Sequence, residues 1–243
     1  MVKKDSRIWE IDALRGLCIP GMIAIHLIYD VVNLYGFVHW PYPAWYSLFK
    51  NNYGALFILI SGLSVTLGSR SVKRGLTVFA GGMVVTAVTV GMYLLGFAGK
   101  GIVIYFGVLH CLGVCMMLWP AFQKRSQARL IAVGLGMTVL GWWLRTVSFD
   151  VPALLLPLGL RYPGFSSSDY FPLMPNLGYF LLGAAFGRKF YGSRQTLLPR
   201  ANAQNPLIRG LCWCGRHSLM IYLLHQPVLA AGCEIYAIVS KGV

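Results

Sequence analysis

The sequence predicts an all-α integral membrane protein, a bundle of about seven transmembrane helices, and three observations predict it. Of its 243 residues 57% are apolar, with only 7 acids against 21 Lys and Arg. Apolar runs of about twenty residues recur along the chain, the length a helix needs to cross a hydrocarbon core. The basic residues gather in the short segments between those runs. A bilayer leaves only helices or a closed barrel as spanning structures, and the runs lack the two-residue alternation of barrel strands. No length remains for a sizeable soluble domain, so residues 1–243 are read as a single polytopic domain. The net charge of +14 does not point to nucleic acid, because basic loops between spans set orientation and meet anionic lipid headgroups.

The first span, Glu10–Tyr35, follows Lys3, Lys4 and Arg7. The second, Tyr53–Gly68, follows a connection holding Lys50 alone. Arg70, Lys73 and Arg74 then precede Gly75–Phe97, and a lone Lys100 separates that span from Gly101–Pro120. Lys124, Arg125 and Arg129 mark the approach to Ala128–Val147. The long connection after it, bounded by Arg145, holds Arg161 alone before Phe171–Phe190. Arg188, Lys189, Arg194, Arg200 and Arg209 crowd the segment before the last span, Trp213–Val239. Basic loops favour the cytoplasm, so the amino terminus is expected inside and the carboxyl terminus outside, in a multi-pass protein of the cytoplasmic (inner) membrane. Asp12 and Arg15 interrupt the first run and no small-x-small site follows, which argues against a cleaved signal. Two connections differ in kind. Phe149 to Ser168 is apolar but broken by Pro152, Pro157 and Pro163, which suits an interfacial or re-entrant cap on the outer face. Tyr191 to Leu211 is polar and reads as a mobile cytoplasmic loop.

The first span carries the chemistry. Asp12, Arg15, His26, Asp30 and Asn33 fall within an arc of roughly 60° at about 100° per residue, so one stripe of the helix is polar. An ionisable group inside a bilayer costs several kcal/mol unless it meets a cavity or a partner, which makes it a candidate for function. By depth, His26, His110 in the fourth span and His225 in the seventh could converge in the middle and outer half of the bilayer. Ser218 and Tyr222 share the face of His225, and Asp169 stands at the outer mouth. Gly183-Ala-Ala-Phe-Gly187 and Gly81-Gly82 are small-residue seams that permit close helix packing. Structural roles compete with each assignment. Asp12 and Arg15 could neutralise each other at the interface, and His110 could be a satisfied interhelical hydrogen-bonding residue. Cys212, Cys214 and His217 form a Cys-x-Cys-x-x-His cluster whose spacing matches no common structural zinc site and lacks a fourth ligand, so no metal is expected.

Five ordered motifs carry a resemblance. They are Arg7-Ile-Trp-Glu-Ile-Asp12-Ala-Leu-Arg15-Gly with Met22, His26 and Tyr29-Asp30; Leu56-Phe-Ile-Leu-Ile-Ser-Gly-Leu-Ser64; Tyr105-Phe-Gly-Val-Leu-His110-Cys-Leu-Gly113; Asp169-Tyr-Phe-Pro-Leu-Met-Pro175; and Gly215-Arg-His-Ser-Leu-Met-Ile-Tyr-Leu-Leu-His-Gln-Pro227. Together they resemble compact prokaryotic members of the heparan-α-glucosaminide N-acetyltransferase-like family of transmembrane acyltransferases. The resemblance implies transfer of an acetyl (acyl) group from cytoplasmic acyl-CoA to a hydroxyl or amine of an extracytoplasmic, sugar-like acceptor. It also implies that His26 is the catalytic residue. The chain is much shorter than the heparan enzyme, so the acceptor is not inherited with the resemblance.

Such chemistry maps onto the polar residues as follows. Arg15, with Asp12 and Ser218, would bind the donor at the cytoplasmic side, Arg15 gripping phosphate bidentately. His26 would act as general base or as acyl-carrying nucleophile, with Asp30 one turn away to orient the ring. His110, Tyr222 or His225 could donate to the oxyanion. Asp169, Tyr222, His225 and Asn33 are candidates for the acceptor side. Acyl-CoA, an extracytoplasmic glycan or other small acceptor, and the lipid bilayer are the expected partners, and a homodimer is left open. The alternative is a proton-coupled transporter or channel using the His-Asp stripe as a relay, against which stands the absence of inverted repeats and of paired broken helices.

Overall fold

A computed structural model describes residues 8–241. Lys3, Lys4, Arg7 and Val243 lie outside the described residues. Among those described, the α-helices are α1 (Trp9–Tyr29), α2 (Ala44–Val65), α3 (Ser71–Leu94), α4 (Val108–Phe122), α5 (Gln127–Leu144), α6 (Leu173–Tyr191), α7 (Pro206–Arg216) and α8 (Ser218–Lys241), and there is no β-strand. Four segments are long and apolar enough to cross a membrane: Trp9–Leu34, which joins α1 to the π turn after it, then α3, α5 and Ser218–Ser240 of α8. Helix α4 is apolar but has only 15 residues. Helix α2 carries Lys50, Asn51 and Asn52, and α6 ends on Arg188 and Lys189, so neither is apolar throughout.

The last expected span changes most. Trp213 does not open it: the chain breaks at His217 (φ −100, ψ 15), which ends α7, and the apolar helix α8 begins at Ser218. Helix α7 is amphipathic, with Cys212 and Gly215 buried and Leu207 and Trp213 exposed. Asn205 caps it by accepting from Leu207 N–H at 2.9 Å, and Pro206 occupies the first turn, where no amide hydrogen is needed. The last six residues of the expected 191–211 loop, 206–211, are therefore helical. Helix α2 likewise starts at Ala44 rather than Tyr53, and α4 starts at Val108 rather than Gly101.

The chain divides into two compact units, one made of residues up to Phe57 together with those from Leu198 onward, the other Ile58–Leu197. In the first unit α1 lies directly on α7. A Cβ at Gly16 would stand 1.9 Å from the Leu211 carbonyl oxygen, and one at Gly215 would stand 1.9 Å from that of Asp12. Only hydrogen fits at either place, and these two glycines let backbone meet backbone. Buried Glu10 adds a tie by accepting from Leu198 N–H at 2.7 Å. The π turn Asp30–Leu34 closes α1 through Tyr35 N–H to Asp30 O at 2.8 Å. A π turn inserts a residue into the helical ladder and re-aims the side chains around it.

In the second unit α3 pairs with α4, and α5 with α6. The expected seam in α6 is used: Gly183 and Gly187 face the Leu59 and Leu63 carbonyls at the end of α2, and a Cβ would stand 2.0 and 2.5 Å from them. Gly82 of the other seam lies against the His110 ring. The broken 149–168 segment folds back onto its own unit. Leu156 is buried in a 3₁₀ turn, Tyr170 O–H donates to its carbonyl at 2.7 Å, and Ser167 O–H donates to Val103 O at 2.8 Å. Much of the outward surface of the spanning helices is apolar, for example Val84, Val139 and Val228, as a lipid-facing surface must be.

Candidate functional site

Helices α1 and α8 of the first unit bring His26 and His225 together. Their rings meet edge to face with centroids 4.7 Å apart. The two residues stand almost 200 positions apart in the chain, so helix packing alone makes the pair. Each ring is oriented by its own helix. His26 Nδ1 lies 2.9 Å from the Met22 carbonyl, and His225 Nδ1 lies 2.6 Å from the Tyr222 carbonyl. A carbonyl can only accept, so both rings carry hydrogen on Nδ1 and, when neutral, hold a lone pair on Nε2. The Nε2 atom of His225 is buried without a partner. Tyr222 completes the cluster, its ring 5.3 Å from that of His225.

Asp30 is fully buried where α1 passes into the π turn. Its carboxylate accepts from Gln226 Nε2 through both oxygens, each at 2.8 Å. The hydrogen bond expected between Asp30 and His26 is not made, because the Met22 carbonyl takes the His26 proton. Gln226 escaped the sequence reading. Asking which donor could accompany a carboxylate into the bilayer would have pointed to the residue beside His225. The Gln226 Oε1 atom, like His225 Nε2, is buried and without a partner.

The other expected site residues of this unit lie further along the same elements. Asn33 lies in the π turn, exposed, and its amide donates to the Tyr42 hydroxyl beside the Trp40–Tyr46 ring pair. Arg15 Nη1 donates to Asp12 Oδ1 at 3.4 Å and reaches the Gly215 carbonyl at 3.5 Å, so it ties α1 to the end of α7. Ser218 opens α8 immediately after the break at His217. Cys212 is buried against α1, its thiol donating to Trp9 O at 3.4 Å.

His110 and Asp169 belong to the second unit and have local partners there. His110 Nδ1 accepts from Gly107 N–H at 3.2 Å, so Nε2 carries the hydrogen and donates to Thr86 Oγ1 at 3.3 Å. Thr86 passes its own proton to Ile104 O at 2.6 Å. Asp169 Oδ2 accepts from Val108 N–H at 3.0 Å at the start of α4, a favourable place for a carboxylate. These bonds knit the start of α4 to α3 and to the segment before α6.

A family model described as heparan-alpha-glucosaminide N-acetyltransferase, catalytic, matches residues 7–227. No curated protein matches the chain. No solved structure matches it either.

Proposed function

The chain belongs to the heparan-alpha-glucosaminide N-acetyltransferase catalytic family, and from that premise we propose that this membrane acetyltransferase moves an acetyl group from cytoplasmic acyl-CoA to an extracytoplasmic hydroxyl or amine at His26. The observation that carries the reading is the His26–His225 pair with Asp30 and Gln226 behind it. Ionisable side chains held this close on apolar helices are costly unless used.

In the direct route His26 Nε2 takes the proton of the acceptor O–H or N–H as that atom attacks the thioester carbonyl carbon. The tetrahedral intermediate collapses with cleavage of the C–S bond, and the proton passes from His26 to the departing thiolate. In the two-step route Nε2 attacks the thioester itself and the thiolate leaves; the acceptor then cleaves the acyl-imidazolium, and its O–H or N–H proton passes by way of His225 Nε2 to the thiolate, which restores neutral His26. Both routes place positive charge on the His26 ring, and the buried Asp30 carboxylate stabilises that charge through space. A neutral His225 offers a lone pair rather than a donor, so it suits holding an acceptor proton better than binding an oxyanion. Arg15, beside the α7 carbonyl it already contacts, is suited to the donor's phosphates. About seven spans with a cytoplasmic amino terminus, in an inner membrane, complete the reading.

Activity decides it. Purified protein is incubated with radiolabelled acetyl-CoA and a panel of amino sugars and polyols. His26→Ala is expected to lose about 10²–10⁴-fold in transfer while eluting as a folded species. Without acceptor, covalent label on the wild type that disappears in His26→Ala identifies the two-step route. Full transfer by a folded His26→Ala protein would sink the assignment.

A further inference from the structure

At one end of the second unit two arginines come together without a carboxylate between them. Arg145 follows α5 directly, and Arg161 stands in the irregular segment before α6. Arg161 Nη2 donates to the Arg145 carbonyl, and Phe149 N–H donates to the Arg161 carbonyl at 2.8 Å. These ties hold Arg161 over the end of α5. Both residues are half-buried. The Arg161 Nε atom is buried with no partner. Among the described residues neither arginine makes an ion pair. The acids of this unit are Asp150, which is exposed, and Asp169, which accepts from the start of α4.

The surroundings hold this charge in place and do not neutralise it. The Arg145 guanidinium lies 5.3 Å from the centre of the Trp142 ring. Trp142 Nε1 donates to the Tyr179 hydroxyl at 2.8 Å, which leaves that hydroxyl's own proton for another acceptor. Tyr170 gives its proton to the Leu156 carbonyl, and burial keeps this phenol well above its ordinary pKa against the pull of both arginines. Two like charges in a partly desolvated place destabilise each other unless an anion joins them.

We propose that Arg145 and Arg161, with the Tyr179 hydroxyl, form a binding site for a phosphate-bearing anion. A tetrahedral oxyanion can accept from the guanidinium groups of both arginines, Arg161 held by its backbone tie and Arg145 by the Trp142 ring. The same chemistry serves a soluble phosphate and the headgroup of an anionic phospholipid. The site is independent of acyl transfer.

The test uses full-length protein delipidated in a maltoside micelle, which carries no phosphate, and follows its thermal midpoint. One arm titrates inorganic phosphate against chloride at equal ionic strength. The other adds phosphatidylglycerol or, as control, a neutral diacylglycerol. A saturable rise with phosphate identifies a soluble anion, and a rise with phosphatidylglycerol alone identifies a lipid headgroup. In either case Arg161→Gln and Arg145→Gln are expected to lose the rise, and Arg161→Lys to weaken the apparent affinity at least about tenfold. Arg145→Gln keeps the backbone carbonyl that holds Arg161, so one variant remains informative if Arg161→Gln fails to fold. No rise in either arm, or an equal rise in folded variants, overturns the proposal.

Discussion

Replacing Gln226 by Leu removes both hydrogen bonds that the Asp30 carboxylate accepts from its amide, each 2.8 Å long. The carboxylate has no exposure to solvent, so water cannot take over from the amide. A hydrogen bond to a charged group contributes about 1.5–3 kcal/mol net. Stripping the partner from a buried charge costs about 3–5 kcal/mol. With two short bonds lost at once, Gln226→Leu is expected to destabilise the protein by about 4 kcal/mol. Asp30→Leu leaves the Gln226 amide without its acceptor and should cost about 1–3 kcal/mol. The double variant leaves neither group stranded, and residues in direct contact couple by about 0.5–3 kcal/mol. A coupling near the top of that range is therefore expected, with the double variant more stable than Gln226→Leu alone. Thermal unfolding of the micellar protein, read by near-ultraviolet circular dichroism and checked by gel filtration, measures all four corners of the cycle. Additivity within about 0.5 kcal/mol would refute the reasoning, because it would mean that the two side chains do not depend on each other.

His110→Ala should cost about 2–4 kcal/mol of stability through a cavity and a lost acceptor at Gly107, yet spare transfer per folded molecule far more than His26→Ala does, as paired melting and turnover assays would show. The opposite ordering would return His110 to the catalytic set. At Gly215, Leu would force α1 and α7 apart, since even a Cβ stands 1.9 Å from the Asp12 carbonyl oxygen; loss of folded yield on gel filtration is expected, and a normal yield would contradict the close contact. Reporter fusions at Lys124 and Phe165 should read cytoplasmic and external respectively, and the reverse pattern would discard the orientation. Arg15→Ala should weaken acetyl-CoA binding by about 1.5–3 kcal/mol in titration calorimetry, with Arg15→Lys a partial rescue; unchanged affinity would leave Arg15 as a tie between Asp12 and Gly215.

Much of the first unit was legible along the chain. The polar stripe of the first span contains Asp30, which is buried, and His26, which is half-buried; in the second unit the small-residue seam of α6 marks where that helix packs closely. A uniform 100° step carries no information about the π turn at Asp30–Leu34, which only the closing bond from Tyr35 N–H to Asp30 O reveals. An apolar residue near an apolar run raises any local average, which places Trp213 in the last span by hydropathy, whereas α7 ends at His217 and lies on α1. The sequence admits both a catalytic and a structural role for His110. Its ring nitrogens are taken up by Gly107 and Thr86, partners on either side of α4's start.

By itself the sequence determined the class of protein and the family. Long apolar runs, interrupted by basic loops, have few solutions other than membrane-crossing helices, and five ordered motifs are specific enough to identify relatives. Hydropathy and helical periodicity are local sums over a few turns, so they survive without knowledge of the fold. What only the tertiary structure decided was partnership. A His26 proton has several acceptors within reach of one helix turn, and the backbone geometry of α1 sends it to Met22 rather than Asp30. The carboxylate left over is met by an amide from α8, nearly two hundred residues away, at 2.8 Å. Hydrogen bonds are lost within a fraction of an ångström of misplacement, and that precision comes from how helices pack, which no single segment encodes.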